Sequence, residues 1–134
     1  MKEVLVDSNV ILDLVTEDKR WCEWSSATLS KLAGERVLVI NQVIYAEVSI
    51  GFDKIEDLDV ALPIDYFRRD PVPWEAAFLA GKSFLRYRKS GGARRSPLPD
   101  FFIGAHAAVK GMELLTRDIS RYSHYFPKVP IITP

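Results

Sequence analysis

The chain has 134 residues, of which 48% are hydrophobic and 27% charged. These globular values exclude a disordered, collagenous or low-complexity chain and predict one packed domain over residues 1–134. The 18 basic and 18 acidic side chains cancel overall but not locally: residues 1–65 carry 13 acids against 6 bases, residues 66–134 carry 5 against 12. The single Cys22 excludes an internal disulfide or a cysteine-based zinc site. The N-terminal apolar run is too short for a signal sequence and no run approaches the ~20 residues of a membrane span, so a cytoplasmic protein with no membrane partner is expected.

Residues 4–6 are the first short apolar run without polar alternation, as suits a strand covered on both faces of a parallel sheet. Trp21, Trp24, Thr28, Leu29 and Leu32 then recur at spacings of three and four before Gly34, which predicts an amphipathic helix and its stop. A second strand is predicted at 37–40 and a helix at 43–50, stopped by Gly51; residues 52–72 show no organising pattern. Near Pro73 a further helix begins, with Trp74, Ala77, Phe78, Gly81, Phe84 and Leu85 sharing one face, and it ends at Gly91 and Gly92. These glycines open the loop SGGARRSPLP. Asp100 stands where an N-cap belongs, and Gly104, Ala105, Ala107 and Ala108 suit a helix lying close against a sheet. Residues 114–116 follow Gly111 as a third strand, and 129–133 close the chain as an edge strand, because Pro130 has no N–H for a ladder. The alternation predicts an α/β doubly wound domain, a mostly parallel central sheet flanked by helices, with its site at the carboxyl ends of the strands.

Four acids fall at that edge. Asp7 ends the first strand in LVDSNVILD, Glu47 lies in the helix after the second in NQVIYAEVSIG, Asp100 starts a helix, and Asp118 follows a strand in ELLTRD. Singly, Asp7, Asp100 and Asp118 suit caps or turns and Glu47 a wet helix face. Two observations favour a shared cation. Glu47 stands among Ile44, Tyr45, Val48 and Ile50, where an unpaired carboxylate is expensive. Acids gathered at one edge also repel unless their pKa values rise or a metal binds, and hard oxygen ligands prefer Mg²⁺ or Mn²⁺.

The remaining polar residues carry weaker signals. Lys82, Arg86, Arg88, Lys89, Arg94 and Arg95 lie in a stretch, 82–99, that holds no acid; it suits a polyanion-binding surface or a solvated helix face and loop. His106 and His124 suit packing or surface roles, Cys22 a small buried residue, and Trp21, Trp24 and Trp74 core or dimer contacts. Ser8 has no nearby histidine to make it a nucleophile. A phosphatase of the haloacid-dehalogenase type needs a second Asp two residues after the first, where Asn9 stands. A receiver-like signalling domain needs an acidic pair there, and Asp7 has no acidic neighbour.

Asp7 in VDSNVILD, Glu47, Asp100 in LPDFFIGAHA and Asp118 in LLTRD resemble the four acidic positions of PIN-domain ribonucleases. The tail TRDISRYSHYFPKVPIITP resembles the C-terminus of VapC-type toxins of toxin–antitoxin modules. The resemblance spans almost the full chain, apart from residues 52–72. It implies a metal-dependent endoribonuclease that cuts RNA by water attack, leaving 5′-phosphate and 3′-hydroxyl ends. By this resemblance Asp7, Asp100 and Asp118 hold Mg²⁺ or Mn²⁺, Glu47 completes the site and orients the water, and Asn9 and Thr116 support the ligands. Asn9 equally suits an N-cap of the first helix, and Thr116 a strand-end hydroxyl. Arg94, Arg95, Lys89 and Arg86 would hold the RNA backbone beside the metal. The implied partners are a cognate antitoxin and a second copy of the chain, as a homodimer. The alternative on the same fold is a catalytically inactive nucleic-acid-binding or protein-interaction module, against which the complete acidic set argues.

Overall fold

Five strands pair side by side: β1 (Glu3–Val6), β2 (Val37–Ile40), β3 (Arg68–Arg69), β4 (Glu113–Leu115) and β5 (Ile131–Ile132). In this computed structural model, which describes residues 1–91 and 98–134, their order is β3-β2-β1-β4-β5 and every pair is parallel. Val4, Leu5 and Val6 of the central strand are fully buried, which is why its sequence shows no polar alternation. Around the sheet lie α1 (Ser8–Val15), α2 (Cys22–Ala33), α3 (Gln42–Ser49), α4 (Ile55–Ala61), α5 (Trp74–Lys89) and α6 (Leu98–Lys110), with a 3₁₀ turn at Ile119–Arg121. The α/β architecture is therefore the expected one. No helix among the described residues is long and apolar enough to cross a membrane.

The topology determines where a site can form. From β1 the chain steps outward to β2 and β3, then returns to the other side of β1 for β4 and β5. The strand order reverses between β1 and β4, and the crevice outside the carboxyl ends at such a switch point is where open α/β sheets bind ligands. Residues 7 and 116–118 follow β1 and β4 directly into that crevice.

Several local expectations are corrected. The patternless stretch 52–72 holds α4 and β3; β3 is two exposed arginines long, too short for any periodicity to register. On α5 the expected inner face is largely the outer one: Trp74 is 89% exposed, Phe78 69% and Leu85 43%. The buried positions are Ala76, Ala80 and Ser83, whose small side chains let α5 lie close on α6. Phe84 then meets Phe101 edge to face at a ring distance of 5.4 Å, and Tyr87 meets it tilted at 5.5 Å. The helix carries two apolar stripes, and close approach selects the smaller one. Cys22 is half-buried rather than buried, and Ala108 faces outward while Gly104, Ala105 and Ala107 are buried. Arg94 and Arg95 lie outside the described residues.

Gly104 faces the C-terminal segment: a Cβ there would overlap the buried ring of Phe126. Gly104→Ala is therefore expected to destabilise the fold by about 2 kcal/mol through overpacking. Chemical denaturation checks this, and a loss below roughly 0.5 kcal/mol, the range of an ordinary surface change, would show that the ring yields freely.

Candidate active site

Asp7 anchors the edge. Its backbone N–H donates to the Leu115 carbonyl at 2.9 Å, extending the β1–β4 ladder by one bond. Its side chain is the N-cap of α1, with Oδ1 accepting from the Ser8 N–H at 2.8 Å. Asn9 is thus not the cap. It lies in the first turn, where its amide donates to Thr116 Oγ1 at 3.2 Å and its Oδ1 accepts from the Arg117 N–H at 3.2 Å. Asp7 Oδ2 accepts from the Thr116 hydroxyl at 2.9 Å and the Tyr122 hydroxyl at 2.8 Å. Thr116 lies just past β4 and also accepts from the Asp118 N–H at 3.1 Å, using both its donor and its acceptor capacity. Asp7 is buried with donors on both oxygens, so its orientation is held by the chain itself.

Glu47 approaches from α3, a helix capped by Asn41, whose Oδ1 accepts from the Ile44 N–H at 2.9 Å. Glu47 Oε1 accepts from the Ser8 hydroxyl at 2.9 Å. Burial raises its pKa, the Ser8 bond opposes that, and the Asp7 charge adds to it.

Asp100 corrects the sequence expectation most sharply. It is not an N-cap but a first-turn residue of α6, which starts two residues earlier, and it is 3% exposed. Its Oδ2 is buried without a hydrogen-bond partner, and its Oδ1 lies 3.6 Å from the Arg121 guanidinium. Burial pushes its pKa up to about 6; Asp7, Glu47 and Asp118 add to the rise and Arg121 opposes it. Asp118 is tied on both oxygens, by the Ser120 hydroxyl at 2.7 Å and by Arg121 Nε at 2.7 Å. Burial works to raise its pKa, but Ser120 and Arg121 outweigh it and the net shift is downward.

The charges of Asp7, Glu47 and Asp118 all bear on Asp100, so the four acids share one edge. Among the described residues, no three His, Cys, Asp or Glu side chains stand together as a ready set of metal ligands. The guanidinium of Arg121 lies between Asp100 and Asp118. The donor set nonetheless fits a hard divalent cation: all the ligands are carboxylate oxygens, and one of them is buried and unsatisfied.

Sequence reasoning missed four contributors. Ser8 holds Glu47, buried Tyr122 holds Asp7, and Arg121 pairs with two acids. Burial, then the charges of Asp7 and Asp100, raises the Tyr122 pKa well above its ordinary value, so its hydroxyl stays a donor. The fourth is Arg117, which donates to buried Asp13 from Nε at 2.7 Å and Nη2 at 3.0 Å, beside the Ser25 hydroxyl at 2.6 Å. An acid inside the apolar run VILDLV carries the same signal as Glu47, so Asp13 was findable.

The other candidates lie elsewhere. His106 is fully buried, with Nδ1 3.0 Å from the Asn41 amide and Nε2 3.2 Å from Asp70; burial lowers its pKa, so it packs as a neutral ring. His124 is exposed. Trp21 and Trp24 are half-buried and meet edge to face at 6.4 Å. Arg86 and Lys89 are exposed at the end of α5, Arg86 lying 5.6 Å over the Tyr125 ring.

The family model for the PIN domain matches residues 4–125, which take in all four acids. Among solved structures, the chain is similar to VapBC2 from Rickettsia felis bound to a promoter DNA fragment, at 17% identity and TM-score 0.74, covering 98% of each chain. It is also similar to VapBC-1 from nontypeable Haemophilus influenzae, at 17% identity and TM-score 0.74, covering 98% of this chain and 97% of that one. VapBC-5 from Mycobacterium tuberculosis, a member of the VapBC family of toxin-antitoxin systems, is 21% identical with TM-score 0.62, covering 100% of both chains. No curated protein matches the sequence. At these identities the structural likenesses speak for the fold, and the family match speaks for the sequence. The chain belongs to the PIN domain family.

Proposed function

We propose that the protein, acting as a single domain over residues 1–134, is a divalent-metal-dependent endoribonuclease and the toxin of a toxin–antitoxin module. The observation that carries this reading is the orphaned Oδ2 of Asp100, buried where three further carboxylates bear on it. An unsatisfied buried carboxylate oxygen is costly, and a cation is the partner that such a site lacks.

Asp7, Asp100 and Asp118 are the residues that would hold Mg²⁺ or Mn²⁺. When bound, the ion supplies an activated water and offsets charge on the phosphodiester. Thr116, Asn9 and Tyr122 keep the Asp7 carboxylate in one orientation. Ser8 keeps Glu47 at the edge, and the raised pKa of Glu47 suits it to take a proton from the attacking water. Arg86, Lys89, Arg94 and Arg95 would supply positive charge for the flanking phosphates. The toxin role and an antitoxin partner are supported by the fold's likeness to VapBC complexes. A homodimer is supported by the outward Trp74 and Phe78, apolar surface that a second copy would cover.

The test is RNA cleavage by the purified chain with and without Mg²⁺ or Mn²⁺, with the 5′ ends of the products mapped. Cleavage that stops on chelation and leaves 5′-phosphates is expected; intact RNA at every metal concentration would favour the inactive module. Arg94→Ala/Arg95→Ala should weaken RNA binding and reduce its salt dependence by up to about two phosphate contacts. An unchanged salt slope would mean that RNA is held elsewhere.

A further inference from the structure

We infer that Arg121 is a built-in competitor for the metal: its guanidinium is the resident counter-cation of Asp100 and Asp118, and a divalent ion loads only as it swings out. The inference rests on the metal-dependent reading above.

The hydrogen bonding separates the carboxylates into two kinds. Asp7 is served by the Ser8 N–H and the Thr116 and Tyr122 hydroxyls, and Glu47 by the Ser8 hydroxyl. Neither needs Arg121 as a donor. Asp118 takes a hydrogen bond from Arg121 Nε at 2.7 Å, whereas Asp100 faces Nη1 at 3.6 Å, too far for a hydrogen bond. Arg121 thus serves Asp100 through charge alone and leaves its Oδ2 without a partner. In this geometry it is an incomplete cation for the pair.

Two features make it removable. Arg121 ends the short 3₁₀ turn, outside the core, and its side chain is 44% exposed. Rotation into solvent therefore breaks one hydrogen bond, to Asp118, and gives up the longer contact to Asp100. The guanidinium and a divalent ion on the same two carboxylates would be like charges a few ångströms apart, so occupancy by one opposes the other. The chain's own arginine accordingly sets the metal concentration at which the site fills.

The test compares wild type, Arg121→Gln and Arg121→Lys by Mn²⁺ calorimetry and by thermal midpoints in chelator and in saturating Mn²⁺. Arg121→Gln should bind Mn²⁺ on the order of tenfold more tightly, the effect of about one charge-assisted hydrogen bond. It should melt below wild type in chelator, where carboxylate repulsion is unrelieved, and match wild type in saturating Mn²⁺. Arg121→Lys, which keeps the charge, should lie between the two. Affinity for Mn²⁺ at or below the wild-type level, or a melting deficit that persists in saturating Mn²⁺, would make Arg121 merely structural and overturn the inference. If wild type binds and Arg121→Gln is unchanged, only the competition falls; if no form binds, the metal site falls with it.

Discussion

Asp100→Asn is expected to abolish RNA cleavage while making the metal-free protein more stable at pH 7. The Asp100 pKa is raised from 3.8 to about 6, so the folded chain holds this proton more tightly than the unfolded chain does. Ionisation therefore costs folding free energy. The cost is fully present above the folded pKa and is relieved as pH falls from about 6 to about 4. An amide carries no charge at any pH, so the variant should gain on the order of 2 kcal/mol at pH 7 and little at pH 4. Mn²⁺ should reverse the order, because wild type gains from binding and the variant does not. Loss of a ligand should lower cleavage by at least about two orders of magnitude, more than is typical for a residue that merely supports one. Denaturation at both pH values, with RNA cleavage alongside, checks this. A folded variant that is less stable than wild type at pH 7, or one that cleaves at the wild-type rate, would contradict the site.

Arg117→Ala should show the opposite behaviour, a large loss of stability. Asp13 is buried and accepts two hydrogen bonds from Arg117 and one from Ser25. Deleting the arginine leaves that carboxylate with a single hydroxyl, and breaking a buried pair from one side costs about 3 kcal/mol or more. The Arg117 guanidinium also covers the Trp21 ring at 5.1 Å, so packing is lost along with charge. A fall in thermal midpoint of about 10 °C is expected for a chain of this length. Asp13→Asn/Arg117→Ala should recover part of the loss by removing the stranded charge. A single-variant loss under about 1 kcal/mol, the median worth of a surface pair, would show that water already serves Asp13.

The contrast between these two acids bears on what a sequence can disclose. Asp100 and Asp13 are both buried carboxylates at or near one edge, yet one is paired in full and the other has an orphaned oxygen. Nothing in the spacing of either residue distinguishes them. The partners are Arg117 for Asp13 and, at longer range, Arg121 for Asp100, and neither is near its acid in sequence.

By itself the sequence determined the parallel α/β class, the three inner strands and the C-terminal edge strand β5, and the presence of acids just after β1 and β4. These are local consequences: a strand buried on both faces must be apolar throughout, and the residue after it must leave the sheet. It also located Glu47 in an apolar helix, where a carboxylate requires a partner. Only the tertiary structure decided the rest. Strand order put β4 against β1, and that alone brought Thr116 and Tyr122 onto Asp7 across 109 and 115 residues of chain. Close helix packing chose Ala76 and Ala80 over Trp74 and Phe78 as the inner face of α5, against the order that hydrophobicity suggests. The start of α6 at Leu98 moved Asp100 from a cap into the buried first turn. Each of these outcomes depends on which surfaces meet, an energy shared between distant segments and absent from the local pattern of either one.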